Sequence, residues 1–352
     1  MIQDQINIYL LRRNFMENKI IFSNLKDEVM FLASQSDEVI VISGYVGPIT
    51  IEELAQKCPK TTVVYGMYGR DGISSYLHKA LCHLSASHND LKILYSTSGT
   101  HTKCYIFFKE KKIKHILVGS ANLSEHGLSS PENTELLTYL SDDNFTLVRY
   151  YIQSILSNSI PCDSDAVVSL ATVLPKARTK RVLLPLNPLS VSMPLYYIDS
   201  STKEKQTQRA SGLNWGNSNN HHKKTGAMEA CIPVSSKHID NYPLLFPPKQ
   251  LSRTSSDGKS TRVNDPIEII WDDGYVMKAI FSGNGPVRNE RVYPKQLTSN
   301  DGGGAELGGY IRSRMKLDER HVIEYSDLQK YGRDDITLTY IQEGIYAADF
   351  SV

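Results

Sequence analysis

The chain has 352 residues, a net charge of +1 and a pI near 7.6, and its 40% hydrophobic content is enough apolar material to core two or three domains. So small a net charge excludes a chain that holds nucleic acid by bulk electrostatics, leaving local basic patches to do it. Cysteines at 58, 82, 104, 162 and 231 show no CxxC spacing, which excludes a zinc-ribbon or disulfide framework.

The opening MIQDQINIYLLRRNF has no basic region followed by a long apolar run, and no stretch approaches the roughly 18 apolar residues of a membrane span. The expectation is a soluble, cytoplasmic protein in a reducing compartment. From residue 20 helical and strand patterns alternate. Leu25, Val29, Leu32 and Ala33 share a helix face after Ser23 and Asn24, and Val39 to Ile42 is a short apolar strand. Thr50 and Glu53 read as a capping box for a helix over 51–56, followed by a strand over 61–65. Gly66, Gly69 and Gly72 surround Arg70. Such a turn can bind phosphate before a helix, but glycines that merely permit a sharp turn are the preferred reading. A helix over 73–86, strands over 91–95, 103–108, 113–118 and 135–140, and a helix with Phe145, Val148, Ile152 and Ile155 on one face complete the unit. Alternation first and consecutive strands later predict an α/β domain over 1–160, a mixed sheet flanked by helices.

Residues 161–190 read as a linker. Its basic segment PKARTKRVLLP carries Lys176, Arg178, Lys180 and Arg181, which either track a DNA backbone or are solvated linker charge. Over 191–352 helical periodicity nearly disappears. Short strands are expected at 195–198, 230–234, 267–271, 275–281, 337–341 and 346–350, with one helix over 307–315. These predict a mainly β domain, a small barrel.

Chemistry concentrates between His101 and Glu135, where an HxK (His101, Lys103) precedes a GSxN (Gly119, Ser120, Asn122). Alternation along a strand puts His101 and Lys103 on one face. A neutral imidazole can attack phosphorus while the ammonium neutralises non-bridging oxygens, and a glycine turn can aim the Ser120 hydroxyl and Asn122 amide at the same phosphate. This chemistry needs no metal. A lone HxK is usually a solvated pair; the GSxN and the following glutamate are what favour a catalytic reading. His221, His222, Lys223 and Lys224 repeat the HxK spacing inside a polar loop without strand or GSxN, so they are not a second catalytic motif. In-line displacement needs a nucleophile and a proton donor on opposite sides of phosphorus. One motif per chain therefore predicts a homodimer whose twofold axis brings two copies of His101 to one shared site.

Two later loops have the composition of DNA contacts: 211–224, with Asn214, Trp215, Asn217, His221, Lys223 and Lys224, and 282–291, with Asn284, Arg288, Asn289 and Arg291. Arginine pairs with guanine and asparagine with adenine in the major groove, while lysine mainly neutralises phosphate.

The HxK…GSxN order resembles the phospholipase D superfamily, whose signature adds an aspartate five residues after the lysine; Phe108 stands there in this chain. The variant without that acid, with a glutamate beyond the GSxN, is similar to the nuclease domain of BfiI- and NgoFVII-like restriction endonucleases. The resemblance implies that Glu135 accepts a hydrogen bond from the catalytic histidine. SGLNWG, DDGYVMKA and ITLTYI look like the C-terminal specificity domain of the same enzymes, a B3-like pseudobarrel with two arms in the major groove of double-stranded DNA, here assigned to 211–224 and 282–304. Some members act with a helicase-like ATPase. This chain has no GxxxxGK[ST] loop, so any ATP dependence belongs to a partner. The reading is a sequence-specific, metal-independent restriction endonuclease. Its rivals are a phospholipase D-like hydrolase without sequence preference and a non-catalytic DNA-binding protein.

Overall fold

The computed structural model describes residues 19–131, 134–169, 190–218, 228–249, 251–253 and 260–352. They fall into two compact units, one within Met1–Thr172 and the other within Val173–Val352.

The first unit is built on eight strands: β1 (Ile20–Ile21), β2 (Glu38–Ser43), β3 (Lys60–Tyr65), β4 (Leu91–Ser96), β5 (Lys103–Lys109), β6 (Lys112–Gly119), β7 (Leu137–Tyr139) and β8 (Ser159–Pro161). Their order is β1-β7-β6-β5-β2-β3-β4-β8. Only β2, β3 and β4 run parallel, because only they are joined by helical crossovers, through Pro48–Lys57 and then Ser75–Ser87. The expected mixed sheet is therefore present. Side-chain alternation buries both faces. Ile42, Val64, Cys104, Ile106 and Ile116 meet Ile152 and Ile155 of helix Phe145–Ser157 on one face, while Val41, Val63, Tyr105, Phe107 and Leu117 are buried on the other.

Helix Leu25–Ser34 buries the four residues its spacing marks, Leu25, Val29, Leu32 and Ala33. The expected capping box at Thr50 is absent. The helix starts earlier, at Pro48 behind Gly47, so Thr50 sits inside the first turn and is buried. Proline at the first position needs no N–H partner, and it set the start that the Thr50 and Glu53 spacing mimicked. Ser74 does cap Ser75–Ser87, its hydroxyl accepting from Leu77 N at 3.2 Å. Strand β8 and the buried Cys162 extend the first unit past residue 160, and the basic linker segment lies outside the described residues.

The second unit wraps one sheet round one core. Its strands are β9 (Ser190–Pro194), β10 (Tyr197–Ile198), β11 (Lys205–Gln206), β12 (Ile232–Pro233), β13 (Leu251–Arg253), β14 (Ser260–Arg262), β15 (Pro266–Trp271), β16 (Val276–Arg288), β17 (Arg291–Ser299), β18 (Asp335–Gln342) and β19 (Ile345–Asp349). Seven of them form the sheet β12-β17-β16-β15-β19-β18-β9, antiparallel except β15 with β19; β10–β11 and β13–β14 are separate two-stranded ribbons. Residues from both edge strands, Met193 of β9 and Ile232 of β12, share a core with Trp271, Met277, Phe281, Ile311, Leu328 and Phe350. A sheet whose two edges reach one core is nearly closed, in keeping with a pseudobarrel.

The segment 282–291 differs from the expected loop. It continues β16 into a hairpin with β17, turning at Asn289 and Glu290, whose φ values are 49° and 62°. Two consecutive positive φ angles mark the turn type whose twist suits a hairpin, and asparagine tolerates them. The strands were hidden because SGNGPVRNER lacks apolar alternation: most of this stretch is exposed on both faces. Helix Ala305–Arg314 begins two residues before its expected start, behind Gly304 at φ 88°, and helices Ser236–Asn241 and Tyr325–Tyr331 were too short to mark a period.

Candidate active site

The site lies at one end of β5 and β2. Lys103 is the first residue of β5 and pairs with Ser43, the last residue of β2. His101 precedes the strand rather than belonging to it, yet the spacing still brings the two side chains together. Lys103 Nζ lies 2.9 Å from His101 Nε2 and donates to the His101 carbonyl oxygen at 2.9 Å. Lys103 is buried, whereas His101 is open to solvent on one side and meets the Tyr45 ring edge-on, with centroids 5.8 Å apart.

β2 ends in Ser43-Gly44-Tyr45, and this turn organises the GSxN. Ser43 Oγ accepts from Leu123 N at 2.9 Å and donates to the Tyr45 carbonyl at 2.5 Å. Tyr45 N donates to Asn122 Oδ1 at 3.1 Å. A backbone N–H can only donate, so this contact assigns the amide: the oxygen faces Tyr45 and the NH2 end, without a protein acceptor among the described residues, is available to an anion. Ser120 is tied to Leu136 in both directions, its N donating to Leu136 O at 3.0 Å and its Oγ accepting from Leu136 N at 3.1 Å. It holds the segment that carries Glu135. A Cβ on Gly119 would lie 2.0 Å from Leu136 O, so only glycine permits that approach.

Glu135 is half-buried and close enough for its field to oppose the downward shift of the Lys103 ammonium. Among the described residues no hydrogen bond joins Glu135 to His101; the His101 ring nitrogen has Lys103 as its neighbour. Burial is the main cause that holds Lys103 below the ordinary lysine range. Burial also lowers the pKa of His101, helped by the positive charges of Lys103 and Arg70 and opposed by Asp71. The ring is thus biased towards its neutral, nucleophilic form. Phe108 occupies the far end of β5 and packs against the apolar cluster beneath helix Phe145–Ser157, so no acid stands at that position. Among the described residues no group of three or more His, Cys, Asp or Glu is placed to hold a metal, and no helix is long and apolar enough to cross a membrane.

Sequence reasoning missed Ser43, Gly44, Tyr45 and Asp71. A Cβ on Gly44 would fall 2.8 Å from His101 Cδ2 and 3.2 Å from Lys103 Nζ, and the Tyr45 hydroxyl donates to Asp71 at 2.7 Å. The available signal was a glycine directly after an apolar strand that enters a parallel crossover, where loops of α/β sheets gather their ligands.

In the second unit Asn214 must be withdrawn as a DNA contact. It is 1% exposed; its amide donates to the Gln208 and Ile323 carbonyls and accepts from Ile323 N and the buried Arg312. It holds the fold together. Trp215 is half-buried in the turn Gly212–Asn217, and the exposed Asn217 donates to the Arg209 carbonyl at 2.8 Å. Asn284, Arg288, Asn289 and Arg291 are exposed on the β16–β17 hairpin. Arg288 is ion-paired with Asp240, and Arg291 donates to the Pro248 carbonyl at 3.0 Å. His221, Lys223 and Lys224 lie outside the described residues.

Comparison with known proteins matches both units. Residues 23–169 match the NgoFVII restriction endonuclease N-terminal phospholipase D domain, and residues 189–342 match the NgoFVII C-terminal B3-like DNA-binding domain. No curated protein matches the chain. Solved structures with local similarity include NucT from Helicobacter pylori (16% identity, 41% of this chain and 98% of that one, TM-score 0.31). Nuc of Salmonella typhimurium, a phospholipase D family member, is another (12%, 41% and 97%, 0.33), and the phosphatidylserine synthase of Haemophilus influenzae Rd KW20 a third (13%, 42% and 39%, 0.32). With a histidine–lysine pair at the sheet edge of the first unit, a nearly closed barrel in the second, and both halves matched in order, the chain belongs to the NgoFVII restriction endonuclease family and is a DNA endonuclease with a B3-like DNA-binding domain.

Proposed function

We propose that the protein is a sequence-specific restriction endonuclease that cleaves DNA without a metal, through a covalent phosphohistidine formed in one active site shared by a homodimer. The observation that carries this reading is the 2.9 Å approach of Lys103 Nζ to His101 Nε2, beside an Asn122 amide whose NH2 end is unengaged among the described residues. A phosphodiester entering between them draws Lys103 and Asn122 to its non-bridging oxygens and uncovers the imidazole lone pair. Nε2 then attacks phosphorus, the bond to the leaving oxygen breaks, and the protonated His101 of the second copy supplies that oxygen with its proton. In the second step water attacks the phosphohistidine, the second histidine takes the water proton, and the first is released. Glu135 stabilises the charged form of Lys103, and Ser120 keeps its segment in place.

The dimer follows from one motif per chain. It is also supported by apolar side chains exposed around the site: Leu136, bonded to Ser120, and Tyr151, whose hydroxyl meets Thr102, are each about two-fifths exposed. Specificity belongs to the second unit, where the hairpin residues Asn284, Arg288, Asn289 and Arg291, together with Trp215 and Asn217, are the base- and phosphate-contacting candidates. An exposed ion pair such as Arg288–Asp240 contributes little, so Arg288 exchanges it readily for a guanine edge. Any ATP dependence comes through a helicase-like partner.

The test is digestion of phage DNA by the purified chain in EDTA, alongside His101→Ala and dimers containing one chain of each kind. Discrete fragments in EDTA and inactive mixed dimers are expected. Activity restored only by magnesium, or half-active mixed dimers, refutes the metal-free or the shared-site mechanism respectively. A smear without fragments favours a hydrolase without sequence preference.

A further inference from the structure

The loop Gly66-Met67-Tyr68-Gly69-Arg70-Asp71-Gly72 is seated beside His101 with more care than a sharp turn requires. Gly66 N donates to the Ser43 carbonyl at 2.7 Å, Met67 N to the Gly44 carbonyl at 3.0 Å, and Thr100 N returns a bond to the Gly66 carbonyl at 2.8 Å. The loop is therefore clamped between the end of β2 and the segment that delivers His101. Its glycines have separate tasks. A Cβ on Gly66 would lie 2.2 Å from Thr100 O and one on Gly69 2.1 Å from Thr97 O, while Gly72 has φ 72°. On the opposite wall Gly99, at φ 71°, leaves room for the stem of Arg70: a Cβ there would come 2.3 Å from Arg70 Cγ and 3.0 Å from Cδ. Close packing thus lays Arg70 across the backbone two residues before His101.

The charges are not paired as neighbours in sequence would suggest. Asp71 is held by the Tyr45 hydroxyl. The Arg70 side chain is exposed and has no ion pair or hydrogen bond among the described residues. An exposed guanidinium fixed by its stem beside a histidine and a buried lysine makes a concentration of positive charge, opposed by the fields of Asp71 and Glu135, that suits a bound anion.

We propose that Arg70 is a phosphate ligand of the active site, its guanidinium gripping non-bridging oxygen of the DNA phosphodiester that His101 attacks. The proposal rests on the histidine mechanism above and adds a third phosphate ligand, and a second cationic one, to Lys103 and Asn122. Arg70 contributes binding and charge neutralisation and transfers no proton.

Inorganic phosphate is the probe, added to the full-length protein with its histidine rings isotope-labelled and the His101 signal identified by its loss in His101→Ala. Wild type, Arg70→Ala, Arg70→Lys and Arg70→Gln are compared for phosphate affinity at the His101 ring, for the pKa of that ring without phosphate, for single-turnover cleavage of phage DNA, and for Tm. Arg70→Ala is expected to bind phosphate and to cleave roughly ten- to hundredfold less well, the loss of a charge-assisted contact. Its His101 pKa rises because a neighbouring positive charge has gone; Arg70→Lys retains that charge and falls between. Phosphate affinity and cleavage in Arg70→Ala equal to wild type, or no response of wild type to phosphate, overturns the proposal. So does an equal fall in Tm for all three variants with no change in the His101 pKa of the folded fraction, which is what a structural role produces. The histidine mechanism fails separately, by cleavage that survives in His101→Ala.

Discussion

Gly44 tests whether the observed histidine–lysine geometry is the reacting one, because the residue has no chemistry of its own. Its backbone does not require glycine, since Gly44 is not among the residues of positive φ. What it supplies is room. Replacing it by alanine places a methyl group 2.8 Å from His101 Cδ2 and 3.2 Å from Lys103 Nζ, so the ring must retreat by about half an ångström to reach the 3.4 Å at which ordinary contact begins. The ring is partly open to solvent and retreats cheaply, so Gly44→Ala lowers Tm by no more than about 2–3 °C, corresponding to under about 1 kcal/mol. Catalysis is less tolerant: a misplacement of about 1 Å in the reacting geometry costs on the order of a hundredfold, and half that displacement about tenfold or more. Single-turnover cleavage of phage DNA should therefore drop at least about tenfold while DNA affinity, measured by gel shift, stays within about twofold. Cleavage at the wild-type rate in a folded Gly44→Ala protein would show that the 2.9 Å His101–Lys103 contact is not part of the chemistry.

Two further outcomes follow from the same structure. Because burial, Lys103 and Arg70 depress the pKa of His101, its neutral form persists to lower pH than in an ordinary histidine, and kcat/KM, which reports the free enzyme, should peak on the acid side of about 6.5; a maximum above pH 8 would contradict that assignment. The sign for stability agrees: with a folded pKa below the unfolded one, the contribution of His101 is complete above the unfolded value and fades as pH falls through the folded one. Asn214→Ala should lower Tm by roughly 5–10 °C, since Ile323 N and Arg312 are left with buried, unmatched donors costing about 2–3 kcal/mol together. It should leave base preference in a binding-site selection unchanged; a switch in preference without loss of Tm would return Asn214 to the DNA interface.

How much of this was legible in sequence depended on how local each signal is. The helix Leu25–Ser34 and strands β2 to β6 could be read because each signal lies within a few adjacent residues: burial follows the 3.6-residue period along the helix, and the strands are short, largely apolar runs. The His101–Lys103 contact was legible for the same reason, a separation of two residues that the start of β5 converts into 2.9 Å. The β16–β17 hairpin was not, because its far half is solvent-exposed on both faces and carries no period at all. Asn214 and Asn217, three residues apart in one polar turn, have the same composition signal; only the folded barrel places the first against Arg312 and Ile323 and leaves the second in solvent. Likewise Gly44, Tyr45 and Arg70 are separated from His101 by more than 30 residues, and no spacing rule links them. They meet because β2 and β3 run parallel on one side of β5, bringing the ends of these strands and the loops that follow them to the same edge of the sheet. Sequence by itself determined the histidine–lysine pair and the two-domain plan; the surroundings that tune the histidine, and the division of polar residues between structure and solvent, were decided by non-local pairing of strands.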